Sequence, residues 1–373
     1  LSPQKNLIRS PSLSAYKGRE LFSMRIAQIA PLTESVPPRT YGGTERVVSY
    51  LTEELMAMGH DVTLFASGDS VTTAKLEAAW PCALRFDTTL RDAMAPHTLL
   101  MEKVYQQADQ FDVLHCHLDY WPFSLLSRQA TPYLTTLHGR LDLPELTRIY
   151  DCFEDAPLVS ISDAQRRPLP RGNFIGTVHH GLPPDLLTPQ PMRRDYLAFL
   201  GRICPEKSPD RAIRIARAAG IKLKIAAKID RVDRDYFETM IRPMIDGDQI
   251  EMIGEIGDAE KPAFLSGAKA LLLPIDWPEP FGLVMIEAMA CGTPTIAFPA
   301  GSVPEVIDHG LTGFIVHDET AAIAAVSRLD RLSSTAIRAC FEQRFTARRM
   351  AEDYLALYRR MAVKSRPALR VVT

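Results

Sequence analysis

Twice along the chain a short strand-like apolar run leads through a loop into a helix-period stretch and then into further apolar runs, and this repeated alternation restricts the fold more than any other feature. The first series opens at residues 24–30 (MRIAQIA) and passes through a loop at 31–43. Val47, Val48, Leu51, Leu55 and Met58 then share one helical face, Gly59 ends it, and 61–65 (DVTLF) reads as the next strand. Short apolar runs at 112–114, 133–137, 158–161 and 174–178 extend the series. Such strands, joined by helical crossovers, predict a parallel sheet buried between helices.

The pattern then breaks. Gly181, Pro183, Pro184, Pro189 and Pro191 raise the proline density and erase the period, as an interdomain linker would. Afterwards the alternation restarts with a strand at 196–200, a helix with Ser208 as its cap and Pro209 at its first position, and strands at 221–227, 249–253, 270–273 and 295–298. A chain of 373 residues exceeds one typical core. The reading is therefore an α/β protein of two doubly wound, Rossmann-like units, 24–187 and 188–345, followed by a helix within 346–373. Met350, Tyr354, Leu357, Tyr358 and Met361 form a stripe on that helix, which reads as core packing rather than membrane contact. Residues 1–23 mix Ser, Lys, Arg and Pro without a period and read as a disordered leader, with Met24 as the natural start.

Between Trp277 and Pro294 a Pro/Gly turn carries Glu279, and Glu287 follows eight residues later near the end of a short helix closed by Cys291-Gly292. Eight residues at helical rise span about 12 Å. That is the reach from a sugar hydroxyl across a diphosphate to a ribose, and the N–H groups of Phe281, Gly282 and Leu283 at the helix start would face the anionic part. This Glu-x7-Glu segment resembles that of the family 4 retaining glycosyltransferases of the GT-B fold, and the resemblance runs over nearly the whole chain from Met24. It implies two Rossmann-like domains facing a central cleft, with the acceptor on the N-terminal domain and the nucleotide-sugar on the C-terminal one. It further implies that Glu279 contacts the transferred sugar, that Glu287 binds the ribose hydroxyls, and that the last helix crosses back to the N-terminal domain.

In open α/β sheets, ligands bind at the carboxyl ends of strands. Gly201 to Lys207 follows the first strand of the second unit and sets Arg202 and Lys207 five residues apart in a strand-to-helix turn. Fixed cations or a bound divalent metal can neutralise a leaving diphosphate. The resemblance assigns that role to Arg202 and Lys207, with no cofactor required. Tyr41-Gly42-Gly43-Thr44 precedes the first helix, where glycine permits close approach and a helix start favours an anion. It is not a Gly-x-Gly-x-x-Gly fingerprint, which counts against a dehydrogenase. In similar enzymes this loop closes on the donor phosphate. His138 ends the 133–137 run, and its likeness to the family's His-Gly element implies a contact with the transferred sugar. Ser162, after the 158–161 run, resembles another cleft element on the acceptor side.

His115-Cys116-His117-Leu118-Asp119 has the residue types of a metal cluster, yet in a strand His115 and His117 share one face while Cys116 takes the other, and no fourth ligand is apparent. An acceptor-side wall containing His117 and Asp119 is the preferred reading. The triplets Asp233-Arg234-Asp235 and Asp246-Gly247-Asp248 sit among charged turn residues and read as solvated surface, so no metal site is assigned.

A net charge of −2 with 24% charged residues recruits no nucleic acid. The six scattered cysteines show no Cys-x-x-Cys pair and read as reduced packing residues of a cytoplasmic protein. No apolar run approaches the length of a transmembrane helix, while peripheral membrane contact stays open. The expected activity is hexose transfer from a nucleotide-sugar, UDP-glucose slightly preferred and GDP-mannose possible, to a small-molecule, glycan or lipid-linked hydroxyl. A nucleotide-sugar epimerase, a sugar phosphorylase or a non-catalytic nucleotide-sugar binder would use the same architecture.

Overall fold

A computed structural model describes residues 23–39, 42–192 and 194–365. The leader reading for residues 1–22, and Tyr41 of the Gly-Gly loop, lie outside the described residues. Two parallel sheets carry the fold. The first holds β1 (Arg25–Ile29), β2 (Asp61–Ser67), β3 (Lys75–Trp80), β4 (Val113–Cys116), β5 (Tyr133–Thr136), β6 (Leu158–Ser160) and β7 (Phe174–Thr177), in the order β3-β2-β1-β4-β5-β6-β7. The second holds β8 (Tyr196–Arg202), β9 (Lys222–Lys228), β10 (Ile250–Gly254), β11 (Ala268–Leu273), β12 (Thr295–Ala297) and β13 (Gly313–Ile315), in the order β10-β9-β8-β11-β12-β13.

The strand order reverses between β1 and β4 in the first sheet and between β8 and β11 in the second. At such a switch point the crossovers leave in opposite directions and open a crevice at the carboxyl ends. Every motif of the sequence that carries charge or glycine at a strand end lies after one of these four strands or their neighbours. The fold thus concentrates them by topology.

Five helices matter for the site: α1 (Gly43–Ala57), α2 (Pro209–Ala219), α3 (Lys261–Ser266), α4 (Leu283–Ala290) and α5 (Ala347–Ser365). Val47, Val48, Leu51 and Leu55 of α1 are buried, and Gly59 takes φ 85° to turn the chain into β2, a conformation that other side chains resist. Ser208 does precede α2, but it adopts φ 49° and its hydroxyl donates to Pro205 O at 3.1 Å instead of capping the helix. The Pro205 turn competes for that hydroxyl.

On α5, Met350, Tyr354, Leu357 and Tyr358 are buried. The helix lies on α1 and reaches β4, so it packs on the first half. Arg349 fixes its start by donating to His179 O and His180 O at 2.8 and 2.9 Å. The stripe is core. Among the described residues no helix is long and apolar enough to cross a membrane. All six cysteines are free thiols, Cys152 exposed and Cys82 partly so.

Candidate active site

A cavity of about 470 Å³ lies between the carboxyl ends of the two sheets. That falls within the size range of small-ligand sites. Gly42, Gly43 and His138 line it from the first half; Arg202, Lys207, Glu279, Phe281, Gly282, Leu283 and Glu287 line it from the second. The starts of α1 and α4 meet here, since a Cβ on Gly43 would stand 3.9 Å from Leu283 Cδ1. Two sets of helix-start N–H groups therefore border one cavity, each favouring an anion.

The turn holding Glu279 is clamped from outside. Ser302 donates its N–H to Glu279 O at 2.9 Å and its hydroxyl to Phe281 O at 2.8 Å. Gly282 takes φ 76°, which favours glycine, and a Cβ there would also crowd Glu279 Cγ at 3.2 Å and displace the flexible tip of Met285. Ser162 donates to Pro280 O at 2.6 Å across the two halves while accepting from Gln165 N at 3.0 Å. The structure thus places Ser162 behind the Glu279 turn, outside the cavity lining.

Lys207 Nζ pairs with Glu279 Oε2 and sits 4.9 Å from the Trp277 ring centroid; the Trp277 indole N–H donates to the same oxygen at 3.2 Å. Arg202 lies among three carboxylates, Asp230 at 3.3 Å, Asp233 at 3.8 Å and Glu206 at 3.9 Å. This corrects the first Asp-x-Asp reading. Asp235 is exposed, but Asp233, with its side chain 14% exposed, faces Arg202 because the short helical turns after β9 fold back toward the cleft. Asp246 does lie in a surface turn, accepting from the N–H groups of Asp248 and Ile250.

Glu287 pairs with Lys261 Nζ at 2.7 Å, and Asp258 approaches the same ammonium at 3.1 Å. Arg46 on α1 reaches across the cleft to Asp258. Burial opposes the Lys261 charge, yet Glu287 and Asp258 outweigh it and hold the ammonium above its ordinary range. Burial likewise opposes Arg46, and Tyr50, Asp258 and Glu287 outweigh it. Glu287 is thus one member of a four-residue ionic group spanning both halves.

His117 does not line the cavity but supports a residue that does. Its Nδ1 stands 2.9 Å from His138 Nε2 and its Nε2 stands 2.9 Å from Gln28 Oε1. His138 stacks on His180, another lining residue, with ring centroids 5.3 Å apart. Burial pushes His138 down to about 3 and holds His115, His117 and His180 well below the usual imidazole range, so all four are neutral. Nδ1 of His138 and of His180 are shut from water with no partner among the described residues. Asp119 takes a left-handed φ of 49°, is pushed up to about 6 by burial, and stands apart from the lining, with the His138 backbone N–H opposing that rise. Cys116 takes the opposite face of β4, packed with Ala27, Ile29 and Phe65. Among the described residues no three His, Cys, Asp or Glu side chains converge as a metal set.

The sequence reading missed Lys261, Arg46, Trp277's contact and His180. His180 stands two residues after the 174–178 run, where His138 directly follows its own, so a strand-end signal read one residue further could have found it. Lys261 and Arg46 have no such signal, being single cations at helix starts.

The family description "Glycosyl transferases group 1" matches residues 188–344, and "Glycosyltransferase Family 4" matches residues 41–206. The chain is a family 4 glycosyltransferase. Like other GT-B glycosyltransferases it superposes on AviGT4, a glycosyltransferase involved in avilamycin A biosynthesis, with a TM-score of 0.71 at 22% identity, covering 91% of this chain and 98% of that one. Against the sucrose-phosphate synthase of Thermosynechococcus elongatus the TM-score is 0.74 at 21% identity, covering 91% and 100%. These likenesses establish the fold. In sequence the glycosyltransferase is 29% identical to the D-inositol 3-phosphate glycosyltransferase of Mycolicibacterium smegmatis over 250 residues, 58% of this chain and 54% of that relative's length. It is 25% identical to the phosphatidyl-myo-inositol mannosyltransferase of the same organism over 358 residues, 87% of this chain and 89% of the relative.

Proposed function

We propose that this glycosyltransferase moves a hexose from a nucleoside diphosphate sugar to an acceptor hydroxyl with retention at the anomeric carbon, and that it needs no metal ion to do so. The observation that carries this reading is the charge arrangement of one cavity: Lys207 on Glu279, Arg202 beside them, the starts of α1 and α4, and Glu287 held by Lys261. Lys207, Arg202 and the helix N–H groups stabilise charge as it grows on the leaving diphosphate. Glu279 binds a hydroxyl of the transferred sugar, and Glu287 accepts from the ribose hydroxyls. No carboxylate is assigned as nucleophile. The leaving phosphate oxygen takes the acceptor proton on the same face, and the protein acts by positioning and charge stabilisation.

UDP-glucose is slightly preferred over GDP-mannose as donor. The acceptor is a small polyol, a glycan or a lipid-linked hydroxyl met on the N-terminal side, in keeping with relatives whose names specify inositol 3-phosphate and phosphatidyl-inositol. Those names favour transfer over epimerisation or phosphorolysis. A thermal-shift panel of UDP- and GDP-sugars, followed by acceptor-dependent release of the nucleoside diphosphate, tests the reading. Stabilisation by a nucleotide-sugar with acceptor-dependent release supports it; no stabilisation by any of them, or turnover without an acceptor, refutes it.

A further inference from the structure

Behind His138 the buried polar side chains of three adjacent strands join into one hydrogen-bonded chain that ends on α5. Gln28 on β1, His115 on β4 and Thr136 on β5, with His117 just beyond β4, meet beneath α5, where the hydroxyls of Tyr354 and Tyr358 enter. Gln28 donates from Nε2 to the Tyr358 hydroxyl at 3.1 Å, and its Oε1 faces His117 Nε2 at 2.9 Å. An amide oxygen only accepts, so His117 carries its proton on Nε2. Its Nδ1 then accepts, and His138 Nε2 at 2.9 Å donates. His138 is left with a bare Nδ1, the atom that has no partner among the described residues. At the other end Tyr358, having accepted from Gln28, donates to His115 Nδ1 at 2.7 Å, and His115 Nε2–H donates to Thr136 Oγ1 at 2.7 Å.

Turning the Gln28 amide over and reversing every bond with it gives a second arrangement, which places a buried, unpaired N–H at His138 Nδ1. Orphaned buried N–H groups are rarer than under-used acceptors, which favours the direction described. We propose that Tyr358 is a positioning residue that acts through Gln28 and His117 to fix His138 as the Nε2–H tautomer, so that His138 meets a bound sugar as a neutral ring held in one orientation, with its bare Nδ1 shut from solvent. Without the Tyr358 hydroxyl, Gln28 can turn its amide alone, and the tautomer of His138 is no longer tied to the rest of the chain. The functional half of this proposal rests on His138 as a sugar contact; the tautomer half does not.

The full chain labelled with 15N-histidine tests both, with the His138 signals assigned by their loss in His138→Asn. Wild type and Tyr354→Phe, which removes a neighbouring buried hydroxyl beyond Thr136, should show a single Nε2–H tautomer at His138. Tyr358→Phe should show a mixture or the inverse, with kcat lowered about tenfold, the worth of one hydrogen bond, and donor KM within about twofold. Gln28→Met serves as second variant should Tyr358→Phe fold poorly, with the same expected spectrum. A single unchanged tautomer in either variant overturns the proposal. A changed tautomer with unchanged kcat supports the relay and instead withdraws His138 from the sugar site.

Discussion

Replacing Lys261 by Met removes the cation that holds Glu287 while keeping the aliphatic bulk at the start of α3. The Lys261 and Glu287 side chains are 11% and 8% exposed and 2.7 Å apart, so the change leaves a nearly buried carboxylate without its partner. Losing one member of a buried pair costs about 3–5 kcal/mol. Asp258 is 30% exposed and keeps Arg46, which places the stability loss toward the lower end, about 3 kcal/mol. Donor affinity should fall as well, because Glu287, the proposed ribose contact, loses the cation that orients it. One charge-assisted hydrogen bond is worth about 1.5–3 kcal/mol, or roughly tenfold to a little over a hundredfold in Kd. Calorimetry of UDP or GDP binding, with urea unfolding alongside, should be run on Lys261→Met, Glu287→Gln and the double variant. Because both singles break the same pair, the double should lose much less than their sum, with a coupling of at least about 1.5 kcal/mol. Donor affinity within twofold of wild type in Lys261→Met, or additive losses in the double variant, would refute the reasoning.

Arg202→Ala and Lys207→Ala should each cut turnover at least tenfold in steady-state assays; Arg202→Ala should change the melting temperature little, whereas Lys207→Ala should lower it, because it leaves Glu279, with its side chain 10% exposed, without its cation. Activity should survive excess EDTA; loss restored by manganese or magnesium would move the chemistry onto a bound ion. Asp235→Asn should be silent in the same assay, whereas Asp233→Asn should alter kcat by loosening the carboxylate set around Arg202. Acid should destabilise the fold. His115, His117, His138 and His180 are neutral when folded but protonate below about 6.5 when unfolded, so the unfolded state binds more protons and stability present above 6.5 is lost as pH falls. Each contributes up to about 1.4 kcal/mol per pH unit, with Asp119, pushed up to about 6, opposing one of them between pH 6 and about 4. The urea midpoint should therefore drop between pH 7.5 and 5.5, and an unchanged midpoint contradicts the buried neutral histidines.

Most of the fold was legible because parallel strands buried on both faces leave mostly apolar runs, and such runs at 24–30, 61–65 and 270–273 sit on β1, β2 and β11. Two of the four edge strands, β3 and β13, were less visible. β3 alternates Lys75, Leu76 and Glu77 before Ala78, and β13 has three residues, so neither carries a run long enough to stand out. In the cleft, Arg202, Lys207, Glu279 and Glu287 could be found because strand ends and the Glu-x7-Glu spacing mark them locally. Lys261 and Arg46 could not, since what selects them is the approach of α1 to α3 across the two halves. The same holds for Asp233 and for Ser162, whose partners, Arg202 and Pro280, are 31 and 118 residues away along the chain.

The central claim, retaining transfer from a nucleotide-sugar at this cleft, is tested most directly by following the anomeric proton by NMR. The enzyme would be incubated with an α-linked UDP- or GDP-hexose and an acceptor panel of inositols, sugars and lipid-linked hydroxyls, in EDTA. The account predicts an α-glycoside formed in step with nucleoside diphosphate release, and abolished in Glu279→Ala. A β-glycoside, or an α-glycoside still made at the wild-type rate by that variant, would contradict it.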